Sequence, residues 1–529
     1  MKPRTALLSL VLLLAVVGCD AGRSNAGGAT GGPGGRKAAA GAIASPRAVG
    51  IRALGVNLGS PTYWSGERDF MNLAMGDDWR LAVNGRWIGP IDEARIDPVT
   101  GTVRSLAAGE SAVLMLTPPP PAPGGTVIRC RFEGTGSLSV GGNAAELRKI
   151  GSAIEFRTMV RPSRPHAYWI VLERTEPADP VRAIDCREAD APKETLFAPE
   201  FLESLRPFGV LRFLDWQKTN QNRGGVWARR TQPTAMTHGR REGVAIEHMV
   251  ALANAAKADP WFQIPYDADR DYIVRFARYV HDHLDPGRTV YVELGNEVWN
   301  YMFPVAKQAE REGLALKLSD APYRALLYRY AQKATAAYDI WASVYADRPA
   351  RLVRVLGTQS ANPWTAEQVL GFGDTAKHVD AVATAPYFGF NPSTRADDRA
   401  VIASVDGVLD LLAERSVSTL ERDRETGVVA ARYGKRHLGY EAGQHVVIAG
   451  DVPLLQAIER HPRMYDLYRS YLNDWRKHDG DLMVLFNATS PIDRHGAWGL
   501  REYSGQPLAE TPKRRAVLDM AAELVRAAR

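Results

Sequence analysis

From about residue 200 onward the chain alternates short apolar runs with longer stretches of helical spacing, and no other feature restricts the fold as much. The apolar runs are VLRFLDW (210–216), WFQIP (261–265), TVYVELGNE (289–297), RLVRVLG (351–357), AVATAPY (381–387), RHLGYE (436–441) and LMVLFN (482–487). Between them VAIEHMVALANAAK, RDYIVRFARYVHDHL and YRALLYRYAQKATAAYDIWASVYA repeat apolar residues every three or four positions, the period of a helix. Strands joined through helices run parallel, because the crossover carries the chain back to its starting edge. With IRALGVNLG (51–59) as a first strand the count is eight, which predicts a closed (β/α)8 barrel. A doubly wound open sheet is the runner-up. No Gly-rich phosphate loop follows any of the strands, which weakens that alternative.

Residues 79–196 have a different texture. Short alternating segments such as WRLAVNGRWIG, GTVIRCRFEGTGSLSVGG and HAYWIVLERT are separated by Gly, Pro and Asn turns, the pattern of an antiparallel β-sandwich. PPPPAPGG (118–125) reads as a loop within it. The expected organisation is a barrel built from 49–78 and 197–529, with a β-rich domain inserted at 79–196 after the first strand.

The N-terminus has the layout of an export signal: Lys2 and Arg4, an apolar run from Ala6 to Val17 too short to span a bilayer comfortably, then Gly18 and Cys19. VVGC resembles the lipobox of bacterial lipoproteins. That resemblance implies a signal peptide over 1–18, lipidation of Cys19 and a membrane anchor in the cell envelope, on the periplasmic face of the inner membrane or on the outer membrane. Residues 19–48, rich in Gly and Ala, read as a flexible tether. If Cys19 carries lipid, the remaining cysteines, Cys130 and Cys186, are left as either a disulfide or two buried thiols.

A net charge of +6 from 66 basic and 60 acidic residues, with arginine scattered, argues against nucleic acid as partner. Neither of these two cysteines sits at a zinc-ligand spacing, DADRD (267–271) lacks the glycine and glutamate of a calcium loop, and His281 and His283 lie on different helix faces. No metal or cofactor is expected.

In a barrel of this kind the strand C-termini build the active site. The first strand ends on Asn57; the second offers Arg212, Asp215 and Trp216; the fourth ends on Asn296 and Glu297. The fifth leads to Gln359 and Trp364, the sixth ends on Tyr387, the seventh on Glu441, and the eighth runs into a loop with Trp498. Carboxylates, amides and aromatics on one rim suit sugars, whose hydroxyls take hydrogen bonds and whose C–H faces stack on rings. Parity within the fourth strand turns Val290, Val292 and Leu294 toward the helices and Tyr291, Glu293 and Gly295 inward, delivering Glu297 to the mouth.

ELGNE (293–297) resembles the strand-four motif of clan A glycoside hydrolases, and HLGYEAG (437–443) their strand-seven segment. The resemblance implies Glu297 as acid/base, Glu441 as nucleophile, Asn296 on the sugar 2-hydroxyl, and Arg212 and Tyr387 supporting the nucleophile. It also implies Trp498, in GAWGL (496–500), as the floor of the central sugar subsite. A retaining mechanism would then act on a polysaccharide or oligosaccharide, with carboxylates about 5–5.5 Å apart rather than the roughly 6.5–9.5 Å of inverting enzymes. The third strand, WFQIPYDAD, departs from the pattern by lacking a rim histidine, and the inserted sandwich is unusual. The other readings are a non-catalytic polysaccharide-binding lipoprotein on a degenerate barrel, and a transglycosylase.

Overall fold

The computed structural model describes residues 53–117, 125–159, 167–221, 225–401, 404–478 and 481–527. The signal, the tether and Cys19 lie outside the described residues, as does most of the 118–125 loop.

Eight parallel strands close into a barrel: β1 (Leu54–Asn57), β2 (Val210–Arg212), β3 (Asp259–Ile264), β4 (Val290–Leu294), β5 (Leu352–Gly357), β6 (Ala381–Thr384), β7 (Arg436–Gly439) and β8 (Met483–Leu485). β8 returns to pair with β1, Leu54 opposite Met483. The strands are short and wholly or almost wholly buried, as expected where helices cover the outside and side chains fill the inside.

The two-residue period divides β4 between two cores. Val290, Val292 and Leu294 join the large cluster formed with the surrounding helices. Tyr291 belongs to a separate interior cluster with Val210, Trp261, Val353, Val355, Ala381, Ala383, Leu438, Tyr440 and Val484. Inside the barrel, Trp261 and Tyr291 sit opposite each other in register and stack at 5.5 Å.

The helices follow local signals. Arg270–His283 begins where Asp269 accepts a hydrogen bond from the Tyr272 amide at 2.7 Å, so the DADRD stretch caps a helix. Prolines open Pro304–Ala315, Pro322–Val344 and Pro363–Gly371, at the turn where a missing N–H costs nothing.

Between β1 and β2 the chain builds two antiparallel sheets. One has five strands in the order Arg86–Pro90, Arg80–Val83, Glu110–Leu116, Tyr168–Thr175, Gly136–Gly142; the other has four, Arg182–Glu188, Val127–Glu133, Ala153–Thr158, Ala144–Ile150. Leu114, Leu138, Ile170 and Leu172 from the first sheet share a core with Ile128, Ile154, Phe156 and Ile184 from the second. Met236, from the long loop after β2, inserts into that core and ties the sandwich to the barrel. Arg68 adds a buried link, pairing with Glu188 at 2.5 Å and with Glu200 at 3.4 Å.

Cys130 and Cys186 face each other in register across neighbouring strands and are joined as a disulfide. The bond closes a loop of 56 residues, and the loss of chain entropy in the unfolded state is worth about 4 kcal/mol. Replacing both with Ala is expected to lower the denaturant midpoint of the sandwich by a corresponding amount, read by guanidinium unfolding followed through tryptophan fluorescence. An unchanged midpoint would show that the sandwich is held by its apolar core alone.

Candidate active site

The chemistry at the rim is organised around one cation. β2 ends at Arg212, whose side chain is wholly buried. Its NH1 group donates to Glu441 Oε1 at 2.8 Å and to Asn57 Oδ1 at 3.1 Å; NH2 donates to Glu293 Oε2 and Asn296 Oδ1, both at 2.9 Å. A planar fork with fixed donors is the side chain that can hold four acceptors from three strands at once. Its faces lie over the rings of Tyr440 and Trp261, at 4.9 and 5.6 Å. Glu293 Oε2 also accepts from Trp261 Nε1 at 3.0 Å and Gln263 Nε2 at 3.2 Å.

Glu297 follows a left-handed glycine, Gly295 at φ 66°, and is itself left-handed at φ 43°. A non-glycine residue there carries strain of order 1–3 kcal/mol, which persists only where surrounding contacts over-determine it. Here Tyr440 Oη donates to Glu297 Oε1 at 2.9 Å and Asn300 Nδ2 donates to Oε2 at 2.7 Å. Glu441 is held on both oxygens too, by Arg212 on Oε1 and by Tyr387 Oη on Oε2 at 3.0 Å. Tyr440 and Glu441 are consecutive, so one short segment reaches both carboxyls.

The two carboxyls differ electrostatically. Burial pushes both upward from the ordinary glutamate value, Glu441 to about 8. For Glu441 the opposing pull is a directly bonded guanidinium, and the Glu297 charge pushes up again. For Glu297 burial outweighs the hydrogen bonds from Asn300 and Tyr440. Of Glu293, Glu297 and Glu441, all essentially buried, Glu297 alone makes no hydrogen bond to Arg212. Glu441 thus has a cation bonded directly to it, whereas Glu297 is met only by the neutral donors Tyr440 and Asn300.

Beyond the rim, Tyr387–Phe390 pairs in parallel with Gly443–Val446. This pairing brings the His445 ring to 5.8 Å from Tyr387, and Trp498 Nε1 donates to His445 Nδ1 at 3.1 Å. Burial pushes His445 down to about 4, so it stays neutral and able to accept that bond. Trp498 thereby stands beside Tyr387 and Phe486, on the Glu441 side of the mouth.

The remaining sequence-proposed residues fall elsewhere. Trp216 is not at the mouth: β2 ends at Arg212, the chain turns, and the indole packs in the helix-facing core against Phe70, Phe201 and Phe213. Asn57 is fully buried, and its amide donates to Tyr440 O while accepting from Arg212, so it orients the cation rather than facing a ligand. Asp215 is half-buried in the loop after β2, raised by burial against the pull of Lys218 and Arg212. Gln359 accepts from Asn362 at 3.3 Å in the loop after β5, and Trp364, one turn on, is 37% exposed.

Glu293, Tyr440, Asn300 and His445 join the site without having been assigned a role from the sequence. Inward parity in β4 marks Glu293, and adjacency to Glu441 marks Tyr440. Nothing in the local pattern marks His445, which depends on a strand pairing outside the barrel. Among the described residues no group of three or more His, Cys, Asp or Glu side chains is arranged to hold a metal ion.

No protein-family model and no curated sequence matches the chain. Similar solved structures include the GH51 arabinofuranosidase from Xanthomonas axonopodis pv. citri, at 12% identity and TM-score 0.38 over 58% of this chain and 63% of that one. Another is a 4-O-α-L-rhamnosyl-β-D-glucuronidase from Fusarium oxysporum 12S, at 11% identity and TM-score 0.37 over 60% and 63%. A third is a Cellulomonas fimi endo-β-1,4-mannanase double mutant, at 12% identity and TM-score 0.32 over 60% and 63%. The chain thus spans less than two thirds of the length of each. Overlaps this loose carry no argument; the fold rests on the strand pairing and the chemistry on the side chains described above.

Proposed function

We propose that the chain is a retaining glycoside hydrolase of polysaccharides or oligosaccharides, with Glu441 as nucleophile and Glu297 as acid/base. The observation that carries this reading is the asymmetry of the pair: two buried glutamates at the ends of β4 and β7, one bonded to a guanidinium and the other not. Retaining chemistry needs one carboxylate charged and one carboxyl protonated.

In the first step a Glu441 oxygen attacks the anomeric carbon, the bond to the leaving oxygen breaks, and that oxygen takes the proton of Glu297. The product is a glycosyl ester of Glu441. In the second step Glu297, now a carboxylate, removes a proton from water as the water oxygen attacks the same carbon, and the ester bond breaks to restore Glu441. Asn296 uses one amide hydrogen on Asn220 at 3.1 Å and keeps the other for the sugar 2-hydroxyl. Tyr387, bonded to Glu441, steadies the attacking carboxylate, and Trp498 offers an aromatic face to the bound sugar ring.

Export and lipid anchoring through Cys19 belong to the same proposal. They are supported by the N-terminal pattern of the sequence and by the Cys130–Cys186 disulfide, a bond that persists in oxidising compartments.

Glu297→Gln tests the acid/base role. Turnover of glycosides with poor leaving groups is expected to fall by about 10²–10⁴-fold, while 2,4-dinitrophenyl glycosides, which need no proton, lose far less in the first step. Because Glu297 is raised, the wild type loses activity as rising pH removes that proton, and the variant loses this alkaline limb. Equal loss on both leaving-group classes with an unchanged pH profile would refute the role.

A further inference from the structure

From the turn that holds Glu297 there starts an aromatic surface that the two-step chemistry does not use. The turn after Glu297 places Asn300 on the carboxyl and Tyr301, 42% exposed, immediately next in the chain. The Tyr301 ring lies 5.6 Å from that of Tyr323, at the start of the Pro322–Val344 helix. Tyr323 stacks at 6.0 Å and 22° on Trp364, at the start of the Pro363–Gly371 helix. Tyr301 Oη is fixed by the Glu310 carboxylate, and the Arg324 guanidinium lies over the Trp364 ring. Three rings from three separate segments therefore form a shelf leading outward from the β4 and β5 rim, its two outer members exposed.

Exposed aromatics held in a row are unusual on a protein surface without a ligand. The shelf's position says which part of a ligand it would take. Glu297 protonates the leaving oxygen, so the leaving saccharide extends from the bond on the Glu297 side. The rings near Glu441, Tyr387 and Trp498, come instead from the segments after β6 and β8, beside the carboxylate on which the sugar becomes esterified.

We propose that Tyr301, Tyr323 and Trp364 bind the leaving-group portion of a saccharide chain, with successive sugar rings stacked along the shelf. This deepens the hydrolase reading and rests on it: the substrate class becomes a chain with at least two sugar units beyond the cleaved bond, rather than a single terminal sugar on a small aglycone.

The test begins with Glu441→Gln, run by native affinity electrophoresis through gels containing soluble β-glucan, glucomannan, arabinoxylan or arabinan. At least one polysaccharide is expected to retard it, and adding Trp364→Ala to weaken that retention by about tenfold in apparent Kd, with Tyr301→Ala acting in the same direction and Trp364→Phe restoring most of the affinity. In the otherwise wild-type chain, Trp364→Ala should raise KM for oligosaccharides of the retained polymer about tenfold more than for the matching glycosyl fluoride, whose leaving group cannot reach the shelf. Retention by none of the polymers, or retention indifferent to both ring removals, would overturn the shelf. An equal effect on oligosaccharide and glycosyl fluoride would also overturn it, because the ring would then act through the fold. Ring-dependent retention by a wild-type chain that cleaves nothing would instead overturn the hydrolase reading, and with it the leaving-group assignment.

Discussion

Glu441→Gln is expected to lower kcat by about four orders of magnitude on any glycoside the wild type hydrolyses, with poor and good leaving groups alike. The amide matches the carboxylate in size, so Tyr387 and Arg212 keep a partner and the fold is spared. What disappears is the charge and nucleophilicity that form the glycosyl ester. Glu441→Ala should then recover part of the lost turnover with azide on activated glycosides, giving a glycosyl azide of inverted configuration, since a small anion fits where the carboxylate stood. Turnover of Glu441→Gln within tenfold of wild type would remove the nucleophile from this account.

Arg212→Met should be the most damaging substitution to stability. The guanidinium is buried with Glu293, Glu441, Asn296 and Asn57 all bonded to it, and removing one partner of a buried ion pair costs about 3–5 kcal/mol. The sign with pH is fixed by the direction of the shifts. Burial holds Glu297 and Glu441 above their ordinary value of 4.5, and the nearby guanidinium restrains that rise. Without it both carboxyls rise further. A group raised in the folded state stabilises the fold below its unfolded pKa, and that contribution is lost as pH rises through the folded value. The variant's deficit in Tm is therefore expected to be smallest near pH 4.5 and to widen as pH rises through the wild-type folded values, which for Glu441 means above about 8, as followed by circular dichroism. A deficit independent of pH would mean that the loss is one of packing.

The barrel is legible in the sequence because parallel strands buried on both faces must be continuously apolar and must be separated by helices. Parity within β4 is equally legible: Tyr291 packs inside the barrel and Val290 and Val292 outside, as a two-residue period dictates. The same logic fails after Arg212, where the strand ends early and the turn swings Trp216 back into the helix layer. An apolar run shows that residues are buried, not where its strand stops. Asn57 is misread for a related reason: position at a strand end predicts the rim, but a strand end can also point beneath it and brace a neighbour. His445 is invisible locally because its role comes from a partner far away in the chain, Trp498, and Tyr440, marked only by its adjacency to Glu441, takes its role from the equally distant Glu297.

The most direct test of the account is trapping of the glycosyl ester. The wild-type protein would be incubated with 2,4-dinitrophenyl 2-deoxy-2-fluoroglycosides of gluco, manno, galacto, xylo and arabino configuration, then read by intact mass and peptide mapping. The expected result is a mass gain of one fluoroglycosyl residue, located on Glu441 and absent from Glu441→Gln. A label on any other residue, or hydrolysis of the parent glycoside with inversion and no label, would contradict it.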